Sequence, residues 1–240
     1  YETAMTQPPI PPKPVPRAEK RAHLVDTALR LFAAGGYHAV GIDAVIAAAG
    51  IAKKTLYAHF PSKNALIAEV LRERDRRFRA SLEAFVDREG DALARLEAVF
   101  RWHGQWFAEA GFAGCMFLNV AAEFHGEVAE FHGEVAELQA IAREHKQALE
   151  AYLAGLLAPL VGEGDATGLA AEFNLLLDGA IGTALVRGDG LAAERAWGIG
   201  RRLLGNARIG GAKGLFEVPD NIDGSNAEVA SLFTGGGGPA

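Results

Sequence analysis

The residues best suited to bind another molecule through charge and hydrogen bonds stand together in segment 53–63. Its first eight residues read Lys-Lys-Thr-Leu-Tyr-Ala-His-Phe. At helical spacing Leu56 and Phe60 lie four apart and face inward, which leaves the cations, hydroxyls and imidazole on the exposed side. Groups of these types bind phosphates and base edges. The side chains expected to make such contacts are Lys53, Lys54, Thr55, Tyr57, His59 and, at the start of the next helix, Lys63.

Three short helices must position this segment. Apolar residues in 24–32 repeat at helical spacing and end at Gly35-Gly36, a second helix covers about 42–49, and a third covers about 53–60. Gly50 separates the last two helices and permits the left-handed backbone that a sharp turn requires. The pattern therefore predicts a helix-turn-helix.

The charge of the chain is divided in the same way. Its 240 residues carry a formal net charge of −6. Residues 17–79 contain 12 Lys and Arg against 6 Asp and Glu, whereas residues 80–240 contain 11 against 23. A basic first third joined to an acidic remainder indicates a region that binds a polyanion, attached to a region with another task.

The composition favours an all-α fold. Hydrophobic residues make up 50% of the chain, which is enough for a packed core, and alanine, leucine and glutamate dominate between Arg17 and Asn206. Alternating β-branched runs are scarce, so a sheet has little to be built from. We expect a disordered proline-rich arm at 1–16, a three-helix helix-turn-helix domain at 17–63, a larger helical domain at 64–206 and a flexible tail at 207–240.

Two features of the sequence indicate where in the cell the protein is found. Cys115 is the single cysteine, which excludes an internal disulfide and suits a reducing cytoplasm. The most apolar stretch, 169–186, is interrupted by Glu172 and Asp178, which argues against a membrane span. We therefore expect a cytoplasmic protein that does not cross a membrane.

The larger domain has a predicted helix pattern and one internal duplication. A long helix is expected from the Ser62 cap to about Arg88, and others near 91–110, 115–125, 134–158, 166–187 and 191–206. The heptad Glu-Phe-His-Gly-Glu-Val-Ala occurs at 123–129 and again at 130–136. Seven residues nearly complete two helical turns, so the insertion can lengthen one helix. Because Gly126 and Gly133 weaken a helix, a looser connector is equally consistent.

A specific motif runs through the first three helices. Phe32 is followed by Gly36-Tyr37, then by Ala49-Gly50-Ile51, and 55–66 reads Thr-Leu-Tyr-Ala-His-Phe-Pro-Ser-Lys-Asn-Ala-Leu. Over residues 20–70 this motif resembles the DNA-binding domain of the TetR (tetracycline-repressor-like) family. Segment 114–119, followed by Glu123, resembles one branch of the same regulators. The resemblance implies an all-helical homodimer whose third helix enters the major groove of DNA.

The resemblance also assigns roles to the exposed residues. It places Lys53 and Lys54 at base-edge or backbone contacts, and Thr55, Tyr57, His59 and Lys63 at phosphates. The chain departs from the family at Val40, Gly41 and Ala52, where hydroxyl residues are common, and at Ile46, where a small residue is usual. Each missing hydroxyl removes a helix cap, at about 1 kcal/mol.

Aromatic and soft side chains crowd into 102–124. Core packing explains most of them, but ligand pockets are also mainly apolar with a few convergent polar groups. His103, Asn119 and His145 can supply those groups, and the resemblance implies an effector pocket in this part of the chain. The expected lining is Trp102, His103, Trp106, Phe107, Met116, Phe117, Asn119 and His145.

The apolar helix around 173–185 and the helix that contains Trp197 suit a dimer seam, since Gly179 and Gly182 permit close approach. An interior helix of a monomer looks similar, and the resemblance to dimeric repressors favours a four-helix interface. The expected dimer contacts are Phe173, Leu177, Ile181, Leu185 and Trp197.

Neither a metal nor a cofactor is expected. Acidic residues and two histidines cluster in 123–134, but on a continuous helix His125 and His132 are about 10.5 Å apart along the axis, too far to share one zinc ion. None of the four serines occurs in a nucleophile elbow, and no phosphate-binding glycine loop follows a strand.

These patterns predict a ligand-responsive transcriptional repressor. It would bind a near-palindromic double-stranded DNA operator as a homodimer and be released by an unidentified small-molecule effector. Two alternatives stay open: a constitutive DNA-binding protein without an effector, and a helical enzyme.

Overall fold

The computed structural model describes residues 16–126 and 132–210, and every regular element within them is an α-helix. The helices are α1 (Arg17–Gly35), α2 (Ile42–Ala49), α3 (Lys53–Tyr57), α4 (Lys63–Val86), α5 (Ala92–Phe107), α6 (Met116–Glu123), α7 (His132–Val161), α8 (Glu163–Arg187) and α9 (Ala192–Gly210). The predicted all-α fold is confirmed. The proline-rich arm up to residue 15, the repeat residues 127–131 and the tail beyond residue 210 lie outside the described residues.

Several helix ends differ from the sequence expectation, and α3, expected over 53–60, ends at Tyr57. The predicted tail begins at 207, but α9 continues to Gly210, so its first residues are helical. Helix α7 passes through Pro159 and ends at Val161. The proline removes only its own donor, and the Gly162 amide still bonds the Ala158 carbonyl at 2.9 Å. One missing bond therefore does not end the helix.

Helices α1–α3 pack around a small apolar core. Leu24, Ala28, Val45 and Leu56 are wholly buried there. Gly50 ends α2 with φ 63° and ψ 34°, the left-handed turn expected from the sequence. Neither α2 nor α3 has a side-chain cap at its N-terminus, as the missing hydroxyls predict.

The α1–α2 turn is tied to α6 by a group of contacts that we call the Glu123 clamp. The Glu123 carboxylate accepts hydrogen bonds from the backbone amides of Tyr37 (2.8 and 3.1 Å) and His38 (2.8 Å). The Tyr37 hydroxyl donates to the Met116 carbonyl at 3.0 Å, so both ends of α6 hold the same turn. Gly36 has φ 79°, and a Cβ there would lie 3.0 Å from the carboxylate, so the clamp requires glycine at this position.

The start of α7 holds the start of α4. The Ser62 hydroxyl caps α4 by accepting from the Ala65 amide at 2.9 Å, and it donates to Glu134 at 2.7 Å. Glu123 and Glu134 come from different copies of the duplicated heptad, so each copy supplies one carboxylate to the N-terminal region. Since α6 ends at Glu123 and residues 124–126 form a turn, α6 does not continue through the repeat, which agrees with the connector alternative over the described residues.

Helices α4–α9 form the larger bundle. Helix α7 packs along α8, α8 packs against α9, and α5 lies against both α7 and α9. By length and composition α8 is the described helix that is apolar enough to cross a membrane. Its Phe173 and Leu177 are wholly buried between neighbouring helices, which is how a core helix of a bundle is packed.

Loss of the Glu123 charge tests the clamp. Glu123→Gln should lower the free energy of unfolding by about 2 kcal/mol, because hydrogen bonds to a charged group contribute about 1.5–3 kcal/mol. Urea unfolding followed by circular dichroism measures this change. Glu144→Gln, which alters an exposed carboxylate of α7, should change it by less than about 0.5 kcal/mol. Equal effects of the two substitutions would contradict the assignment of the clamp.

Candidate nucleic-acid interface and internal cavity

Helix α3 presents one polar face to solvent. Leu56 is wholly buried and Phe60 is nearly so, which fixes the opposite face on the N-terminal core. Lys53, Lys54 and Tyr57 are exposed, whereas Thr55 and His59 are half-buried. Lys53, Lys54 and Tyr57 are therefore accessible to another molecule, whereas Thr55, His59 and Lys63 are partly covered.

The cations on this surface are not equally available. The Lys53 ammonium pairs with Asp43 at 3.2 Å, and both side chains are exposed. The Lys63 ammonium donates to the His38 carbonyl at 3.3 Å, and burial lowers the pKa of Lys63. Lys54 makes no hydrogen bond or ion pair within the described part of the chain. Lys54 is therefore the cation on α3 that is most available to a polyanion.

The start of α1 enlarges the cationic surface. Arg17 donates to the Ala58 carbonyl at 3.1 Å, across the end of α3. The pKa of His59 is lowered by burial and then by the charges of Arg17, Arg21 and Lys20. Sequence reasoning counted these cations in the basic first third but did not connect them with α3, because the residues that meet are 41 positions apart.

The residues expected at a dimer seam fall into two groups. Phe173, Leu177, Ile181 and Trp197 are at most 7% exposed, so they lie inside the protomer, and the expectation is corrected for these four. Their side of α8 and α9 packs onto α5 and α7, which hides it from a second copy. Leu185 is 46% exposed. The other large apolar side chains exposed on or beside these helices are Leu175, Val186, Leu191 and Ile199.

A closed cavity lies among α4–α8. Its volume is about 10 Å³, space for roughly one water molecule. Five of the predicted pocket residues line it, namely His103, Trp106, Met116, Phe117 and His145. The lining residues that sequence reasoning missed are Arg74, Phe78, Cys115, Lys146, Leu149 and Ile181.

The other three predicted pocket residues have partners elsewhere. The Trp102 indole donates to the Ser81 hydroxyl at 3.1 Å. Phe107 packs against Phe112 with ring centroids 5.1 Å apart. The Asn119 amide donates to the Ala113 carbonyl at 3.4 Å. None of the three lines the cavity.

Two histidines face the cavity with different hydrogen-bond partners. His103 Nδ1 bonds the Val99 carbonyl at 2.8 Å, so this nitrogen carries the proton and Nε2 is a bare acceptor. Nε2 is buried and has no partner among the described residues, and burial lowers the pKa of His103 to about 4. His145 bonds Asp75 at 2.7 Å and stacks on Phe117 with centroids 3.7 Å apart. Burial lowers the pKa of His145 as well.

A cleft of about 340 Å³ adjoins the closed cavity. Arg74, Trp106 and Met116 line both spaces, and α1 contributes Leu29 and Ala33 to the wall of the cleft. The Arg74 guanidinium lies 5.3 Å from the centroid of the Trp106 ring. The cleft therefore connects the wall of the cavity with the first helix of the N-terminal region.

Comparison with known proteins places this arrangement in a family. The sequence model for bacterial regulatory proteins of the tetR family matches residues 24–70. The crystal structure of SCO4454, a TetR-family transcriptional regulator from Streptomyces coelicolor, is 31% identical and superposes with a TM-score of 0.70. The alignment covers 79% of this chain and 96% of SCO4454. The chain belongs to the TetR family of transcriptional regulators.

Curated relatives agree with this assignment. The TetR-family chain is 35% identical over 91 residues to the HTH-type transcriptional activator FasR of Mycolicibacterium smegmatis. It is 48% identical over 44 residues to the mycofactocin biosynthesis transcriptional regulator MftR of Mycobacterium tuberculosis. The matched segments cover 30% and 18% of this chain, and only 42% of FasR and 22% of MftR. Both relatives are named as transcriptional regulators, in agreement with the TetR family, which is a class of DNA-binding transcriptional regulators and does not fit the enzyme alternative.

The neutral state of His103 makes the TetR-family chain sensitive to acid. Between pH 6.5, the ordinary histidine pKa, and about 4, His103 is protonated in the unfolded chain but stays neutral in the folded protein. The free energy of unfolding should fall by an amount on the order of 3 kcal/mol across this window. His103→Phe should make the pH dependence of the free energy of unfolding shallower in urea titrations. An unaltered pH dependence in His103→Phe would contradict a neutral His103.

Proposed function

We propose that this regulator is a ligand-responsive repressor of the cytoplasm that binds a near-palindromic operator as a homodimer. The observation that carries the proposal is the cationic face of α3, exposed on a helix whose other face is locked by Leu56 and Phe60. A rigid short helix with exposed cations, a hydroxyl and an aromatic ring suits insertion into a major groove.

Each residue of the face has a proposed part. Lys54 contacts base edges or phosphates, because none of the described residues competes for it. Lys53 contacts DNA after leaving Asp43, and the phosphate backbone is held by Thr55, Tyr57, His59 and Lys63. Arg17 and Lys20 extend the phosphate contacts along α1. Most contacts at such interfaces are to phosphates, so this surface gives affinity and orientation as well as specificity.

A homodimer forms in this proposal through the outer face of α8 and α9. Leu175 and Val186 are 72% and 82% exposed on α8, and Ile199 is 40% exposed on α9. Gly179 and Gly182 lie on the same outer stripe of α8 and leave room for a close helix crossing. Two copies joined in this way form a four-helix interface and set two α3 helices about 34–36 Å apart, one turn of DNA.

The effector acts through α6. Met116 and Phe117 at the start of α6 line the cavity, and Glu123 at its end holds the α1–α2 turn. A ligand that moves α6 changes the position of the N-terminal helices and hence the spacing of the two copies of α3. Effector binding then favours a state with lower operator affinity, a population shift between two conformations.

The alternative of a constitutive DNA-binding protein predicts a different outcome. In that case the small cavity is only a packing defect, and no compound changes the affinity for the operator. Titration of candidate ligands against the protein–DNA complex, followed by fluorescence anisotropy, separates the two functions.

DNA binding is tested on fragments selected by the purified protein, with the region upstream of its own gene included. Lys54→Ala should weaken binding and reduce the salt dependence of the logarithm of affinity by about one unit if its contact is to phosphate. Tyr57→Ala should weaken binding to all sequences alike. Arg201→Ala, which removes an exposed cation from α9, is the matched control and should leave binding unchanged. Absence of salt-dependent binding, or equal loss in all three variants, would refute the proposed interface.

Dimerisation is tested by a charge on the outer face of α8. Leu175→Arg should shift the protein to a monomer in sedimentation equilibrium and abolish cooperative binding to the full operator, because an unpaired charge cannot be buried in an apolar interface. Leu118→Arg, at an exposed leucine of α6, should leave the dimer intact. A dimer that persists in Leu175→Arg would move the interface elsewhere.

A further inference from the structure

We infer that the effector is a small apolar or aromatic organic acid that carries a hydroxyl, bound with its carboxylate on Arg74 and its hydroxyl on His103 Nε2. The inference rests on the proposed function in one respect, that the cavity and its adjoining cleft form the effector site.

His103 demands a hydrogen-bond donor. Its single proton is used by the Val99 carbonyl, so Nε2 can only accept, and this nitrogen is buried without a partner in the residues described. A buried acceptor left unsatisfied costs about 1–3 kcal/mol. A ligand hydroxyl that donates to Nε2 removes this cost, whereas an apolar analogue does not.

Arg74 lacks an ion-pair partner among the described residues. Its neighbours on α4 each pair with a carboxylate: Arg72 with Glu137, Arg76 and Arg77 with Glu73, and Arg79 with Asp75. Arg74 is half-buried and makes no hydrogen bond or ion pair with any described residue, and burial lowers its pKa. A guanidinium binds a carboxylate through two parallel hydrogen bonds, which identifies the acid group of the ligand.

The other charges around the site are already engaged or solvated. Lys146 pairs with Asp178, and the Asp75 carboxylate accepts a hydrogen bond from His145 Nδ1. Glu109 and Arg30, on the wall of the cleft, are exposed to solvent, and solvent screens the Glu109 charge, which acts to raise the pKa of Arg74. Arg74 is therefore the charged group of the cavity wall that a ligand can neutralise.

The walls between the two polar groups suit a flat apolar body. The rings of Phe78, Trp106 and Phe117 line the cavity, together with Met116. The closed cavity is too small for an organic ligand, but the 340 Å³ of the adjoining cleft is within the range of ligand pockets. Since Met116 and Trp106 belong to both spaces and methionine is flexible, displacement of Met116 joins them. The same displacement acts at the first residue of α6.

Three probes test the inference on the full chain by isothermal titration calorimetry: 4-hydroxybenzoate, benzoate and 4-hydroxybenzamide. The first should bind about tenfold more tightly than the second, which lacks the donor, and about tenfold more tightly than the third, which lacks the charge. This comparison needs no substitution and so does not depend on the folding of a variant.

Two variants then show which residue is responsible for the preference for the carboxylate and which for the preference for the hydroxyl. Arg74→Met keeps an unbranched side chain and should abolish the preference for the carboxylate, while His103→Phe keeps an aromatic ring and should abolish the preference for the hydroxyl. Arg88→Met, an exposed arginine outside both spaces, should change neither. Thermal melting of each variant verifies that it is folded.

Equal affinities for the three probes, no saturable binding at millimolar concentration, or preferences that survive in the variants would overturn the inference. Calorimetry is performed without DNA, so its outcome is independent of operator binding. If the probes bind with the expected preferences but the operator is not released, the ligand chemistry stands and the proposed ligand response fails.

Discussion

The whole molecule depends on a carboxylate held by backbone amides. The Glu123 carboxylate accepts hydrogen bonds from the backbone amides of Tyr37 and His38. The Tyr37 hydroxyl donates a hydrogen bond to the carbonyl of Met116, the first residue of α6. Without this clamp the three N-terminal helices would be joined to the bundle mainly through α4, and motion in one part need not reach the other. Because the Glu123 carboxylate binds backbone amides rather than side chains, it fixes the turn itself, which is what a rigid link between two regions requires.

The sequence predicts those features of the fold and the site that depend on contacts within one helix, and it fails where the contacts join distant parts of the chain. The polar face of α3 followed from Leu56 and Phe60, which are one helical turn apart, so its orientation was correct. The buried apolar stripe of α8 was assigned to the wrong partner, since periodicity shows that Phe173 is covered but not whether its own chain or a second copy covers it. Arg17 was missed because it meets α3 only in the folded chain, and Asn119 was misplaced because its amide bonds the Ala113 carbonyl.

Helix α8 serves two surfaces at once. Its inner face closes the core with Phe173 and Leu177, and its outer face exposes Leu175 and Val186. A helix that is apolar on both sides gives almost no amphipathic signal, which explains why its sequence also satisfies the length and composition of a membrane span. The bundle covers the inner face, and the exposed outer face is the part on which the proposed dimer depends.

The pairing of Lys53 with Asp43 has a consequence for how the protein searches a chromosome. Both groups are exposed, so the pair is worth at most about 1 kcal/mol, or a factor of about five in affinity. In the proposed complex a duplex must first displace Asp43 from Lys53, and this cost falls alike on the operator and on unrelated sequence. The internal competitor therefore shortens every encounter by the same factor, and it leaves the ratio of specific to non-specific affinity to the other contacts of α3.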